Sequence, residues 1–123
     1  MVDKVASVAI VDDDAGVLDS LRFLLEVAGH NVAAYRSAEA FLASGDRVAD
    51  CLIVDHHMPH MTGLELVAQL NNYVRTPNIM LITGSSTPAI RERAADLGVA
   101  KVVEKPLCGD DLLDFVNASI GRP

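Results

Sequence analysis

Leu52-Ile53-Val54-Asp55-His56-His57-Met58-Pro59 is the stretch that decides the fold. Leu52 to Val54 is an apolar run of the kind that ends a buried strand. Asp55 follows at once, and Pro59 stops any continuation and forces a loop. The acid therefore stands where a strand leaves the core, on a rigid base and open to solvent on one side. In an open α/β sheet, ligands bind at the carboxyl ends of the strands. A single acid at such a place is most simply a turn former, so the rest of the chain has to decide whether Asp55 is more than that.

Outward from this stretch, strand and helix signals alternate. Val5 to Val11 is apolar and β-branched and predicts a buried strand, closed by Asp12-Asp13-Asp14. A helix follows over about Ala15 to Ala28, with Asp14 as N-cap, Gly29 as its stop, and Leu18, Leu21, Leu25 and Ala28 on one face. Asn31 to Tyr35 predicts a second strand, at an edge. Ser37 caps a helix through about Ser44, with Phe41 and Leu42 inward, and Gly45-Asp46-Arg47 reads as a loop. After the Leu52–Val54 strand, Thr62-Gly63-Leu64-Glu65 matches a capping box and starts a helix to about Leu70, with Leu66, Val67 and Leu70 inward.

Thr76-Pro77-Asn78 is a turn, and Ile79 to Ile82 is a fourth strand ending at Thr83. Thr87-Pro88 is an N-cap followed by a first-turn proline, opening a helix to about Leu97 before Gly98. Val99 to Val103 predicts the fifth strand, closed by Lys105-Pro106. The last helix spans about Asp110 to Ser119, with Leu112, Phe115, Val116 and Ile120 as its apolar set. The inner strands are continuously apolar, not alternating, so both faces of the sheet must be covered. Five strand–helix repeats of this kind predict a parallel sheet with helices on both sides and right-handed crossovers.

At 123 residues, half of them hydrophobic, the chain is expected to be one domain over residues 1–123 with a largely aliphatic core. No apolar run reaches the length of a membrane span, so no membrane partner is expected. Met1-Val2-Asp3-Lys4 lacks the basic region and cleavage site of a signal peptide, which points to the cytoplasm. Cys51 and Cys108 fit neither a redox nor a zinc spacing and read as reduced core or near-core thiols. Ten basic against seventeen acidic residues give a net charge of −7, which argues against direct nucleic-acid binding. Gly121-Arg122-Pro123 is compatible with the start of a linker, and no effector domain is expected in this chain.

The inner strands end in residues that chemistry can use: Asp12 and Asp13, Asp55, Thr83, and Lys105. A parallel sheet brings all of them to one edge. Three carboxylates packed together repel unless a cation neutralises them. Mg²⁺ is the natural choice, being a hard ion that takes oxygen ligands and keeps waters and phosphates in its shell. A carboxylate, a divalent cation, a hydroxyl and an ammonium are the parts that phosphoryl transfer needs. Asp55 is then the nucleophile, with Thr83, Lys105 and the metal each taking one phosphoryl oxygen. Taken singly, the acids read as helix caps, Thr83 as a strand residue and Lys105 as a solvated lysine. Jointly, those readings require the same coincidence at every inner-strand end.

Val11-Asp12-Asp13, Asp55-x-x-Met58-Pro59-x-Met61-Thr62-Gly63, Ile82-Thr83-Gly84 and Lys105-Pro106 together resemble the receiver domain of two-component response regulators. Ser37-Ala38-Glu39-Ala40-Phe41-Leu42, Met61 to Leu66 and Glu104-Lys105-Pro106 resemble most closely the FixJ-type receivers. The resemblance implies a flavodoxin-like (CheY-like) five-stranded sheet in the order 2-1-3-4-5. It implies a phosphoacceptor Asp55, charged by a sensor histidine kinase or phosphotransfer protein, in a switch that assists its own phosphorylation and dephosphorylation. It implies Mg²⁺ held by Asp13, Asp55 and the His57 backbone carbonyl, with Asp12 acting through water, and a cis peptide at Lys105-Pro106. A homodimer through the face of the fourth helix, fifth strand and fifth helix is also compatible with it. Switching in such receivers involves the counterparts of Thr83, Val102, Lys105 and Pro106.

Three positions depart from the family pattern. Val102 stands where Tyr or Phe is usual, His56 where an apolar residue is usual, and Leu107 where Phe is usual. His56, His57 and His60 form a cluster beside the site that reads either as a transition-metal or pH sensor or, more simply, as solvated loop histidines. Two other functions compete with the switch. A phosphatase of the haloacid dehalogenase kind needs a second acid two residues after the nucleophile, and His57 occupies that place. A receiver-like binding module that is never phosphorylated would not need Asp12, Asp13, Asp55, Thr83 and Lys105 together.

Overall fold

The computed structural model describes residues 5–45, 49–72 and 76–120. Met1-Val2-Asp3-Lys4, Asp46-Arg47 and Gly121-Arg122-Pro123, singled out in the sequence, lie outside the described residues. The elements alternate as β1 (Ser7–Val11), α1 (Ala15–Val27), β2 (Asn31–Tyr35), α2 (Ala38–Ser44), β3 (Cys51–Asp55), α3 (Gly63–Leu70), β4 (Asn78–Thr83), α4 (Pro88–Asp96), β5 (Lys101–Glu104) and α5 (Gly109–Ile120). The five strands form one parallel sheet in the order β2-β1-β3-β4-β5, and β2 is an edge as expected.

Every residue of β3 is buried, and β1 and β4 are buried beyond their first residue. Successive side chains of these strands enter two different cores. Val11, Leu52, Val54 and Leu81 pack with Phe41, Leu66, Val67 and Ala94. Ile10, Ile53, Met80 and Ile82 pack with Leu18, Leu25, Leu112, Phe115 and Val116. The register sets the height of each strand end: Val11 is level with Val54, Asp55 with Ile82, and Thr83 with Glu104. The functional residues therefore leave the sheet at nearly one level.

The helix starts follow the capping chemistry in the sequence. Asp14 accepts from the Gly16 and Val17 N–H groups, Ser37 from Ala40, and Thr87 from Ile90 ahead of Pro88. The Thr62–Glu65 capping box is complete, and its hydrogen bonds hold the Glu65 carboxyl below its ordinary range. Gly29 adopts φ 97° just after α1, a left-handed backbone that side chains other than glycine resist.

Four expectations shift. β1 begins at Ser7, not Val5, because Ser7 and Asp50 exchange two hydrogen bonds: the Ser7 N–H to the Asp50 carboxylate, and the Asp50 N–H to the Ser7 carbonyl. β5 runs from Lys101 rather than Val99, since the Val99 N–H is taken by the Ala94 carbonyl at the end of α4. Ala28 is exposed, and Leu24 takes its place against the core. Cys51 is buried, with its thiol pushed up to about 12 by burial, whereas Cys108 is exposed and no core thiol.

One contact ties the fold to the strand-end loop. A Cβ on Gly63 would lie 2.8 Å from the Asp55 carbonyl, 2.8 Å from Leu81 Cδ1 and 2.9 Å from His56 Cα. Two of these atoms are backbone and cannot rotate away. Gly63→Ala is therefore expected to cost roughly 1–3 kcal/mol, the usual range for overpacking a tight site. Urea unfolding at unchanged m-value checks it, and a loss under about 0.5 kcal/mol shows that the loop yields freely.

Candidate functional site

The C-terminal edge of the sheet gathers the residues that the sequence singled out. Asp12 and Asp55 are each 2% exposed and Thr83 is fully buried, while Asp13 sits at the surface. Carboxylate oxygens of Asp12, Asp13 and Asp55 all lie within 4.8 Å of one another, the one such group of potential metal ligands among the described residues. Three hard oxygen donors of this kind suit a hard divalent cation rather than a thiophilic one.

Burial pushes the Asp12 carboxyl above its ordinary value, and the Asp55 charge adds to this. The Asp14 N–H, donated to Asp12 Oδ1 at 2.9 Å, opposes it. Lys105 supplies the counter-charge: its Nζ lies 3.2 Å from Asp55 Oδ1. The same oxygen accepts the His57 N–H at 3.3 Å. The Lys105-Pro106 bond is cis. The Lys105 N–H donates to the Thr83 carbonyl at 2.8 Å, and the His56 N–H to the Ile82 carbonyl at 2.8 Å, so both strand-end loops hang from β4.

Sequence reasoning missed three partners. The Thr83 hydroxyl contacts His57 Nε2 at 2.9 Å and both backbone groups of Ser85. Arg36, at the end of β2, donates to the Asp13 carbonyl at 3.3 Å. His56 Nδ1 accepts the Leu64 N–H at the start of α3. The histidines are thus not simply solvated: His56 is half-buried, which lowers its pKa, and its ring meets that of His57 edge-on at 5.2 Å. His60 stays at the surface with φ 71°. The signal that could have found the Thr83 contact is positional, since His57 stands two residues past Asp55, and Asp55 is level with the residue before Thr83. Val102 is half-buried in β5, on the core side shared by Leu81, Ile90 and Leu97.

A cleft of about 770 Å³ opens beside the acids. Asp12, Asp14 and Lys105 form its polar rim, and Val17, Leu21, Ile82 and Leu107 line its apolar wall.

Residues 8–117 match the response regulator receiver domain. The chain belongs to that family. It is 38% identical over 118 residues to the transcriptional regulatory protein FixJ of Azorhizobium caulinodans, a match covering 94% of this chain and 55% of that protein. It is 32% identical over 121 residues to the response regulator protein TodT of Pseudomonas putida, covering 98% of this receiver and 53% of that relative. The receiver thus spans about half the length of the curated relatives it matches. Among solved structures, FixJ-N aligns with a TM-score of 0.84 at 33% identity, covering 100% of this chain and 98% of the other. A receiver domain protein from Methanospirillum hungatei JF-1 aligns at 0.89 and 24% identity, covering 96% and 95%, a likeness of fold. Receivers are signalling switches of two-component systems rather than classical enzymes. In the described residues, no helix is long and apolar enough to cross a membrane.

The Asp12 environment makes a prediction. A folded-state pKa above the unfolded one means that the folded chain holds this proton more tightly, so the metal-free fold gains stability from this group as pH falls through the carboxylate range. At neutral pH the buried charge is a cost. Asp12→Asn is expected to raise the metal-free melting temperature at pH 7 by roughly 3 °C or more. A lower melting temperature in thermal scans with chelator present shows instead that the charge is net favourable through Lys105.

Proposed function

We propose that Asp55 is the phosphoacceptor of this receiver and that Mg²⁺ occupies the Asp12–Asp13–Asp55 cluster during transfer. The observation that carries this reading is the convergence on Asp55: a buried carboxylate at a strand end, two further acids within 4.8 Å and the Lys105 ammonium at 3.2 Å. A phosphoryl group leaves the imidazole nitrogen of a phosphohistidine, or the acyl oxygen of a small phosphodonor, and bonds to an Asp55 carboxylate oxygen. The leaving group keeps the electron pair of the broken bond. Asp13, Asp55 and the His57 carbonyl would hold the metal, with Asp12 supporting it through water, and the metal would supply charge neutralisation. Lys105 takes one phosphoryl oxygen through a charge-assisted contact, and the Thr83 hydroxyl takes another. The same arrangement, with water as acceptor, supports a slow self-catalysed dephosphorylation.

The donor is a sensor histidine kinase or phosphotransfer protein, and the cleft beside Asp12 gives it access. Gly16, Ser20, Phe23 and Val27 recur at helical spacing along α1, and Phe23 and Val27 are each 70% exposed. A small-residue entrance followed by apolar anchors suits a helix carrying the donor histidine. We place the protein in the cytoplasm, with residues 1–123 acting as a receiver that passes its state to an output domain or separate partner. Any homodimer would use the α4–β5–α5 face. With seven more acidic than basic residues, the receiver does not bind nucleic acid itself. The phosphatase reading accounts for the site less well, because the place of its second acid is held by His57, whose ring contacts Thr83, and a module that is never phosphorylated has no use for three clustered acids and a lysine.

Incubation with acetyl phosphate and Mg²⁺ is expected to add one phosphoryl group by intact mass. Asp55→Asn, nearly the same shape but a poor nucleophile, should abolish the adduct and keep the fold. Millimolar Mg²⁺ should raise the melting temperature of the unphosphorylated protein, by roughly 1.4 kcal/mol of stability at tenfold excess over its dissociation constant. An adduct mapped to another residue rejects Asp55, and a melting temperature indifferent to Mg²⁺ rejects the metal site.

The readout should be uneven. Val102 has one side-chain torsion and no ring, so it cannot swing into space vacated by Thr83. One contact that differs between the two states is therefore missing on the α4–β5–α5 face. Amide exchange with and without phosphorylation is expected to change most at Gly84 to Pro88 and less at Val99 to Val103 and α5. Equal changes in both regions refute the uneven readout.

A further inference from the structure

The Thr83 hydroxyl proton is already taken. A hydroxyl has one proton and two lone pairs. Oγ1 of Thr83 lies 3.1 Å from the Ser85 carbonyl, 3.2 Å from the Ser85 N–H and 2.9 Å from His57 Nε2. With the ring as the Nε2–H tautomer, the hydroxyl donates to Ser85 and accepts from both Ser85 and His57. With the other tautomer it donates its proton to His57. In either case His57 is its shortest partner, and in either case the hydroxyl's one proton is already engaged.

His57 is itself held at two points. Its N–H donates to Asp55 Oδ1 at 3.3 Å, so one residue touches the carboxylate with its backbone and the hydroxyl with its ring. His56 braces that ring edge-on at 5.2 Å and is in turn fixed to α3 through the Leu64 N–H. The two histidines thus form a short strut from the start of α3 to the end of β4.

We propose that His57 is a positioning residue that latches Thr83 in its pre-transfer conformation, so that Thr83 reaches a phosphoryl oxygen only when the ring releases it. The inference rests on the phosphoacceptor reading of Asp55. A contact made in one state only biases the equilibrium toward that state. Removing one net hydrogen bond from the unphosphorylated side should favour the phosphorylated conformation by roughly three- to tenfold.

Beryllium fluoride with Mg²⁺, a mimic of the phosphoryl group, supplies the test, with binding to the full chain followed by fluorine NMR. His57→Phe keeps a ring of similar bulk without the hydrogen bond, and His57→Ala removes both. Both are expected to bind the mimic roughly three- to tenfold more tightly than the parent. His57→Gln, whose amide nitrogen has a reach similar to Nε2, should return toward the parent affinity. The Thr83 side-chain rotamer, read from three-bond couplings to its methyl carbon in the ligand-free proteins, gives a second readout: it should change in the Phe and Ala variants and stay in the Gln variant. Equal affinities across all four proteins overturn the latch. So does tighter binding by the Ala variant alone, which would assign the effect to ring bulk. If the parent binds no beryllium fluoride, the phosphoacceptor reading fails; the Thr83 rotamer then decides the contact, and an unchanged rotamer in every variant overturns it as well.

Discussion

Like-charge repulsion at the carboxyl edge of the sheet is the constraint around which the molecule is arranged. Asp12, Asp13 and Asp55 bring their oxygens within 4.8 Å of one another, and two of these side chains are shut away from water. No chain would hold them so on local grounds. They stay because the strands below them are buried on both faces and fix the height at which each acid emerges. The aliphatic core supplies the holding force, and Lys105 supplies part of the counter-charge. The shortfall in positive charge is what the proposed metal would make good.

Most of this frame is legible in the residues. The continuous apolar runs of β1, β3 and β4 require a sheet covered on both sides, and Asp14, Ser37, Thr62 and Thr87 mark helix starts by the hydrogen bonds their side chains can accept. The four strand-end chemistries follow once the sheet is parallel. What escapes is set by long-range pairing. Val5 looks like strand as much as Ser7 does, and only the distant Asp50 decides where β1 begins. Val99 looks like strand, yet α4 claims its N–H. His57 looks like a loop residue, and nothing in a one-dimensional pattern says that its ring ends 2.9 Å from a hydroxyl 26 positions away.

The departures from the family pattern form a consistent set when placed in the fold. His56 replaces an apolar residue and braces His57. Val102 replaces an aromatic residue and packs quietly with Ile90 and Leu97. Thr83 is thus engaged from the β3 side through His57, whereas Val102 on β5 packs into the aliphatic core. Under the proposed transfer chemistry, this arrangement would alter how a change at Thr83 is felt elsewhere.

Gly63 and Gly84 flank the Asp55 region in opposite ways. At Gly63 even a methyl group has no room, whereas a Cβ on Gly84 would meet nothing within 4 Å. Mechanically, the site is a vice with one fixed jaw and one loose one. If Asp55 takes a bulky group as proposed, the packed β3–α3 corner offers it less room than the Gly84 side does. Stiffness, and not only affinity, would then select the direction in which a signal leaves the domain.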